Sequence, residues 1–173
     1  EHRIVRKDGA VRWVRDTAIL LKDASGRLLS YDGVISDITE RRRAEAELQK
    51  LASVVRYSSE FVNLATLDGK MIFLNEAGSR IVGISPADVE QFNIMQVIPA
   101  HLKEKVETEL LPALMGVGTW AGDLQYLNLT TGQLTDVHAM TFVIRDPATG
   151  APLYLANVSL DITDRKRAEE ELR

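Results

Sequence analysis

Asp37-Ile38-Thr39-Glu40-Arg41-Arg42-Arg43-Ala44-Glu45 returns 124 residues later as Asp161-Ile162-Thr163-Asp164-Arg165-Lys166-Arg167-Ala168-Glu169. The turn signals upstream repeat as well. Lys22-Asp23-Ala24-Ser25-Gly26 answers Arg145-Asp146-Pro147-Ala148-Thr149-Gly150, with one residue more in the second copy, and Lys7-Asp8-Gly9 answers Thr130-Thr131-Gly132. Matching turns and a long motif in the same order indicate an internal duplication. Between the turns, β-branched and aromatic residues at hairpin spacing predict antiparallel strands. These fall at about 1–7, 11–22 and 27–36, and again at about 119–129, 134–145 and 152–160.

The second copy is preceded by material the first lacks. A hairpin is expected from Phe61 to Leu67 and Met71 to Leu74, turned by Asp68-Gly69. Helical pieces follow at Glu76 to Val82, at Pro86 to Gln91 and, longest, at Pro99 to Met115. The order predicts an α+β fold: a five-stranded antiparallel sheet with its helices inserted between strands two and three, preceded by a helical linker. Pro112 should kink or divide the longest helix, because it removes a backbone donor and crowds the preceding turn. The expected division is therefore 1–39, the final strands of an incomplete unit; 40–57, the linker; 58–163, a complete unit; and 164–173, the start of a C-terminal helix.

In the linker, Ala44, Leu48, Leu51 and Val55 follow the a/d alternation of a coiled-coil seam and predict a homodimer interface. Met140, Phe142, Ile144, Tyr154, Ala156 and Val158, which alternation gathers on one sheet face, are expected to contribute. Asp37 and Thr39 stand where side-chain oxygens cap the linker helix, and Asp161 and Thr163 do so for the next helix. All four are candidate signal-relay residues. The basic run Arg41-Arg42-Arg43 lies one turn from Glu45 and Glu47, which fits a self-paired solvated face better than a nucleic-acid or membrane patch.

Composition narrows the function. With 173 residues, 45% hydrophobic and 27% charged, the chain can bury an ordinary core. Its formal charge of −4 lacks the basic excess of a nucleic-acid binder, so no nucleic-acid partner is expected. The absence of cysteine excludes disulfides, thiolate metal sites and flavin–cysteine adducts. No apolar run reaches the roughly 20 residues of a membrane helix, so no membrane insertion by this segment and a cytoplasmic location are expected. A strand-like opening without an initiator Met suggests a fragment of a longer chain.

The layout and the Asp-Ile-Thr-Glu-Arg-Arg-Arg-Ala-Glu motif closely resemble PAS sensory domains with their C-terminal PAC segment. Supporting matches are Asp68-Gly69-Lys70 before Ile72-Phe73-Leu74-Asn75-Glu76-Ala77, Val82-Gly83-Ile84-Ser85, Val97-Ile98-Pro99 and Gly118-Thr119-Trp120-Ala121-Gly122. The resemblance covers a complete unit at about 58–163 and the last three strands of another at about 1–39. It implies a sensor or interaction module of bacterial signalling proteins, commonly upstream of a histidine kinase or a diguanylate cyclase.

Catalytic chemistry finds little support. His2, His101 and His138 have no partner at the spacing of a known metal or catalytic signature. In haem-binding relatives a His projects from the long helix about two turns after its opening Pro, where this chain has Val106 and Glu107, so the resemblance argues against haem. Alternation sets His138 apart from Val137 and Ala139, and the resemblance implies that its set lies on the outer sheet face. Gly116 to Gly122 looks faintly like a phosphate loop but leads into a strand, not a helix. No enzyme activity is expected of this segment, and the cofactor is left unassigned.

One candidate site remains. Strand alternation, oriented by the resemblance, puts Gln125, Leu127, Val137, Ala139, Thr141, Val143, Leu155, Asn157 and Ser159 on the helix-covered face, either around a small-ligand pocket or in a filled core. The expected function is sensing and relay to the C-terminal helix within a signalling protein such as a histidine kinase, with adjacent domains of the same chain and a small molecule as partners. The alternatives are a ligand-free dimerisation or spacer module and the sensor part of a diguanylate cyclase.

Overall fold

The computed structural model describes residues 1–172; Arg173, where the expected C-terminal helix was to continue, lies outside the described residues. The chain divides into two compact units, Glu1–Ser53 and Val54–Arg173, each with its own sheet.

The first unit pairs β1 (His2–Val5), β2 (Val11–Lys22) and β3 (Leu28–Asp37) antiparallel in the order β1-β2-β3. Its hairpins close where the sequence places Asp and Gly. The Asp8 carboxylate accepts from the Ala10 N–H at 2.9 Å and that of Asp23 from the Ser25 N–H at 2.8 Å. Helix α1 (Thr39–Arg56) follows β3.

The second unit contains β4 (Phe61–Ala65), β5 (Met71–Leu74), β6 (Thr119–Leu127), β7 (Leu134–Arg145) and β8 (Pro152–Asp161), all antiparallel in the order β5-β4-β8-β7-β6. Helix α2 (Glu76–Val82) starts on the Asn75 side chain and stops at Gly83, whose φ of 69° only glycine adopts without strain. This is the α+β, five-stranded architecture the sequence predicts, with helices between the second and third strands of the unit. α5 (Thr163–Glu171) leaves the last strand.

The inserted helices are shorter and less regular than expected. The piece predicted at 86–91 is a single 3-10 turn, Val89–Gln91, entered through a turn in which the Asp88 N–H donates to the Ser85 carbonyl at 3.0 Å. The long stretch breaks into a 3-10 turn at Ala100–Leu102, α3 (Lys103–Lys105), a π turn at Val106–Leu110 and α4 (Leu111–Gly116). Pro112 sits in the first turn of α4, and just before it the Leu111 N–H reaches back five residues to the Val106 carbonyl. The widened turn absorbs the crowding a proline imposes on a regular helix.

These pieces cover one sheet face. Phe61, Met71, Val82, Val97, Val137 and Ala139 are wholly buried between them. Leu124 opposes Val137, Gly122 opposes Ala139 and Trp120 opposes Thr141, so these six residues share that face. Gly122 makes room for the indole: a Cβ there would stand 2.7 Å from the Trp120 ring.

Candidate ligand cavity and strand–helix junctions

Under the irregular helices lies a cavity of about 300 Å³. The helical stretch forms its roof through Val106, Leu110 and Leu114; β4, β6, β7 and β8 form its floor. Three polar side chains cross that floor at one level, since Asn63 opposes Asn157 and Asn157 opposes Thr141. All three are at least nine-tenths buried. The Asn157 amide donates to the Thr141 hydroxyl at 2.7 Å, and its oxygen accepts from Ser159 at 2.6 Å and from Tyr126 at 3.2 Å. Burial pushes the Tyr126 phenol up to about 12, although its hydrogen bonds to Ser159 and Asn157 act the other way.

The predicted pocket residues divide into three groups. Thr141, Leu155 and Asn157 line the cavity. Val137, Ala139 and Ser159 are buried in the adjoining core, and half-buried Val143 packs against it. Gln125 and Leu127 belong to neither, which corrects the expected alternation of β6 by one residue. Gln125 opposes Asp136 on the uncovered face, and Leu124 and Tyr126 point inward in their place. A one-residue slip exchanges the two faces of a strand. Asp123 carried the missed signal: it shares parity with Gln125, and an inward Asp123 would bury a charge. Two other contributors went unread. Asn63 lines the cavity, and Asn75 lies outside it. Asn75 accepts from Val62 and Gly78 at 3.0 and 2.9 Å and donates to the Val55, Ser58 and Glu60 carbonyls at 3.2, 3.4 and 2.8 Å.

Both relay motifs close their strand–helix turns identically. The Thr39 N–H donates to Asp37 and the Thr163 N–H to Asp161, each at 2.9 Å. Hydrogen bonding from Thr39 holds the Asp37 carboxyl below its ordinary range. Among the described residues Asp161 pairs with no cation of the first turn of α5. Lys166 goes to the neighbouring strand, its Nζ 2.8 Å from Asp136 Oδ1. The Gln125 amide donates to the same oxygen at 3.2 Å, and the Gln125 carbonyl lies 3.1 Å from His101 Nε2. Close by, His138 Nδ1 lies 2.8 Å from Asp123 Oδ1, and this hydrogen bond is the chief reason the Asp123 carboxyl is lowered. Arg165 reaches Asp123 Oδ2 at 3.8 Å.

On α1, Ala44, Leu48, Leu51 and Val55 are all exposed, Leu48 at 67% and Leu51 at 58%. Among the described residues no group of His, Cys, Asp and Glu could hold a metal ion, and no helix is long and apolar enough to cross a membrane.

A family model described as a PAS domain matches residues 1–40 and 59–164. The chain belongs to the PAS domain family. Curated relatives include the methyl sulfide methyltransferase-associated sensor of Methanosarcina acetivorans, 30% identical over 74 residues, or 43% of this chain and 7% of that protein. A peroxide stress-activated histidine kinase of Schizosaccharomyces pombe is 27% identical over 82 residues, 47% of this chain and 5% of that protein. Matches to this PAS chain thus span only a small part of either relative. Among solved structures, the PAS domain of a Colwellia psychrerythraea protein has a TM-score of 0.62 at 19% identity, covering 68% of this chain and 98% of its own. At that identity the likeness shows the fold alone.

Proposed function

We propose that this PAS chain is the sensory relay of a larger signalling protein of the histidine-kinase type. Residues 1–39 close a preceding PAS unit, 40–57 link, 58–163 sense, and the helix from 164 onward carries the output. The observation that supports this reading is the polar path His101–Gln125–Asp136–Lys166. It begins on the helical stretch that roofs the cavity, crosses β6 and β7, and ends in the first turn of α5. Occupancy of the cavity pushes on Val106 and Leu110 in the π turn, where the regular helical ladder is already interrupted. A shift there changes the hold on Lys166. Each net hydrogen bond is worth about 1 kcal/mol, enough to change the balance of two helix orientations several-fold.

The test needs no ligand. Ala65→Phe fills the cavity from its β4 wall, and Gln125→Met severs the path at its middle. Ala65→Phe is expected to alter amide exchange along α5 in the parent chain and to leave it unchanged in the Gln125→Met background. Equal responses in both backgrounds would dismiss the relay.

A second reading rests on the exposed α1 stripe: a ligand-free dimerisation module that sets spacing between neighbouring domains. Leu48→Asp should then convert a dimer into a monomer in sedimentation, because a charge at the centre of an apolar seam is costly to bury. A parent chain that sediments as a monomer at high micromolar concentration would remove this reading.

A further inference from the structure

The cavity combines an apolar body with a polar floor whose hydrogen-bonding capacity is only partly used. The Asn63 amide nitrogen donates to the Phe73 carbonyl at 2.9 Å and also lies 3.4 Å from the Leu64 carbonyl. Two carbonyl partners fix the amide's orientation and turn its oxygen the other way. That oxygen accepts no hydrogen bond from the described residues, and it is accessible rather than sealed. The Thr141 oxygen accepts from Asn157, which leaves its own proton free, and one N–H of the Asn157 amide is likewise uncommitted. Along one level of the floor, therefore, an open acceptor on β4 lies beside open donors on β8 and β7. Buried polar groups ordinarily find partners.

The remaining lining offers no positive charge. Among the described residues no Lys, Arg or His borders the cavity. Tyr126 is a neutral phenol at physiological pH, and the one carboxylate, Asp68, belongs to the β4–β5 turn, where a hydrogen bond from Thr66 lowers it and keeps it ionised. An anionic head would meet the Asn63 oxygen without a compensating cation. A cationic head would meet the Thr141 and Asn157 donors.

We infer that the cavity takes a neutral small molecule with an apolar body and a single head that both donates and accepts hydrogen bonds, an alcohol or a primary amide. The Asn63 oxygen takes the head's proton while Thr141 and Asn157 donate to its oxygen. At roughly 30 Å³ per water-sized group, such a ligand has about ten non-hydrogen atoms. This inference deepens the sensory reading and rests on it for its biological sense, but its chemistry can be measured separately.

Octanamide, 1-octanol, octanoate and n-propylbenzene form a matched series for calorimetry on the full chain at pH 8. Octanamide and 1-octanol are expected to bind at least about tenfold more tightly than octanoate, because the floor offers an ionised head no cation. Thr141→Val and Asn63→Leu should each weaken octanamide by roughly five- to tenfold. Both should retain n-propylbenzene with its affinity unchanged, which shows an intact cavity. Octanoate binding as tightly as octanamide, octanamide indifferent to both substitutions, or no neutral member binding at all would each overturn the ligand class. Amide exchange along α5 in the same samples separates the two proposals. Octanamide that binds without altering α5 defeats the relay and leaves the ligand class standing, whereas tight octanoate that alters α5 does the reverse.

Discussion

The two copies of the repeated strands carry nearly the same backbone and opposite side-chain chemistry. At the first junction the Ile38 N–H donates to the Trp13 carbonyl at 2.8 Å; at the second, the Ile162 N–H donates to the Asp136 carbonyl at 2.9 Å. The residue four beyond that isoleucine, Arg42 or Lys166, reaches back over the strand position in each case. Arg42 lies 3.9 Å from the centre of the Trp13 ring and 3.8 Å from Glu1 Oε2, whereas Lys166 has no ring beneath it among the described residues and pairs with Asp136. The Thr39 hydroxyl accepts the Trp13 N–H at 2.9 Å, but the Thr163 hydroxyl is buried with no partner among the described residues. The sheets differ in the same sense. Thr141 opposite Asn157 in the second copy corresponds to Ala18 opposite Gly33 in the first, which has no polar floor. The first junction adds an aromatic contact to its ion pairs with Glu1 and Arg12, and the second is held by charge and hydrogen bonds alone.

Asn75 gives the sharpest break in this comparison. It belongs to the second unit, and it ties the end of α1, the start of β4 and the first turn of α2 through both atoms of its amide. Asn75→Ala strands several buried backbone groups and should cost about 3 kcal/mol. Denaturant melts that resolve the two units should show the loss in the second alone. Equal destabilisation of β1–β3, read by amide exchange, would show that the two copies unfold as one.

Tyr126 tests the polar floor through pH. In the unfolded chain the phenol titrates near 10, and in the folded chain near 12. The unfolded state therefore releases its proton first. The contribution is complete below pH 10 and falls away as pH rises toward 12, by roughly 2–3 kcal/mol in all. Lysines titrate over the same range, so the informative quantity is the difference between the parent and Tyr126→Phe. Parallel stability curves for the two proteins between pH 10 and 12 would mean that the phenol is not held neutral by its surroundings.

Much of this arrangement was legible in the sequence because it is local. Asp-Gly turns fix hairpins, and the repeated nine-residue motif marks where each sheet hands over to a helix. What escaped depends on register. Thr119 to Leu127 carries apolar residues at both parities, so only the charge of Asp123 distinguishes its faces. The partner of Lys166 was invisible because it lies 30 residues upstream on another strand. The cavity depends on a π turn whose only trace in the sequence is Pro112, two residues past the distortion it accompanies.

The smallest expected effect separates the two junctions most directly. Lys166 and Asp136 keep about a third and a quarter of their side chains exposed, so their pair is worth under about 1 kcal/mol and is screened by salt. Arg42 gains from the face of an aromatic ring, where contact and dispersion supply part of the attraction. Lys166→Met should lower stability by a few tenths of a kcal/mol at low ionic strength, a deficit that vanishes near 1 M salt. Arg42→Met should cost a comparable amount, of which salt removes the share owed to Glu1 and leaves the share owed to the Trp13 ring. Thermal melts of both variants at 0.05 and 1 M sodium chloride decide the matter. If both deficits vanish together, the tryptophan contributes no more than a counter-charge would, and the chemical difference between the copies has no energetic consequence. If only the Lys166 deficit vanishes, the first junction is a fixed joint and the second one responds to its electrostatic surroundings.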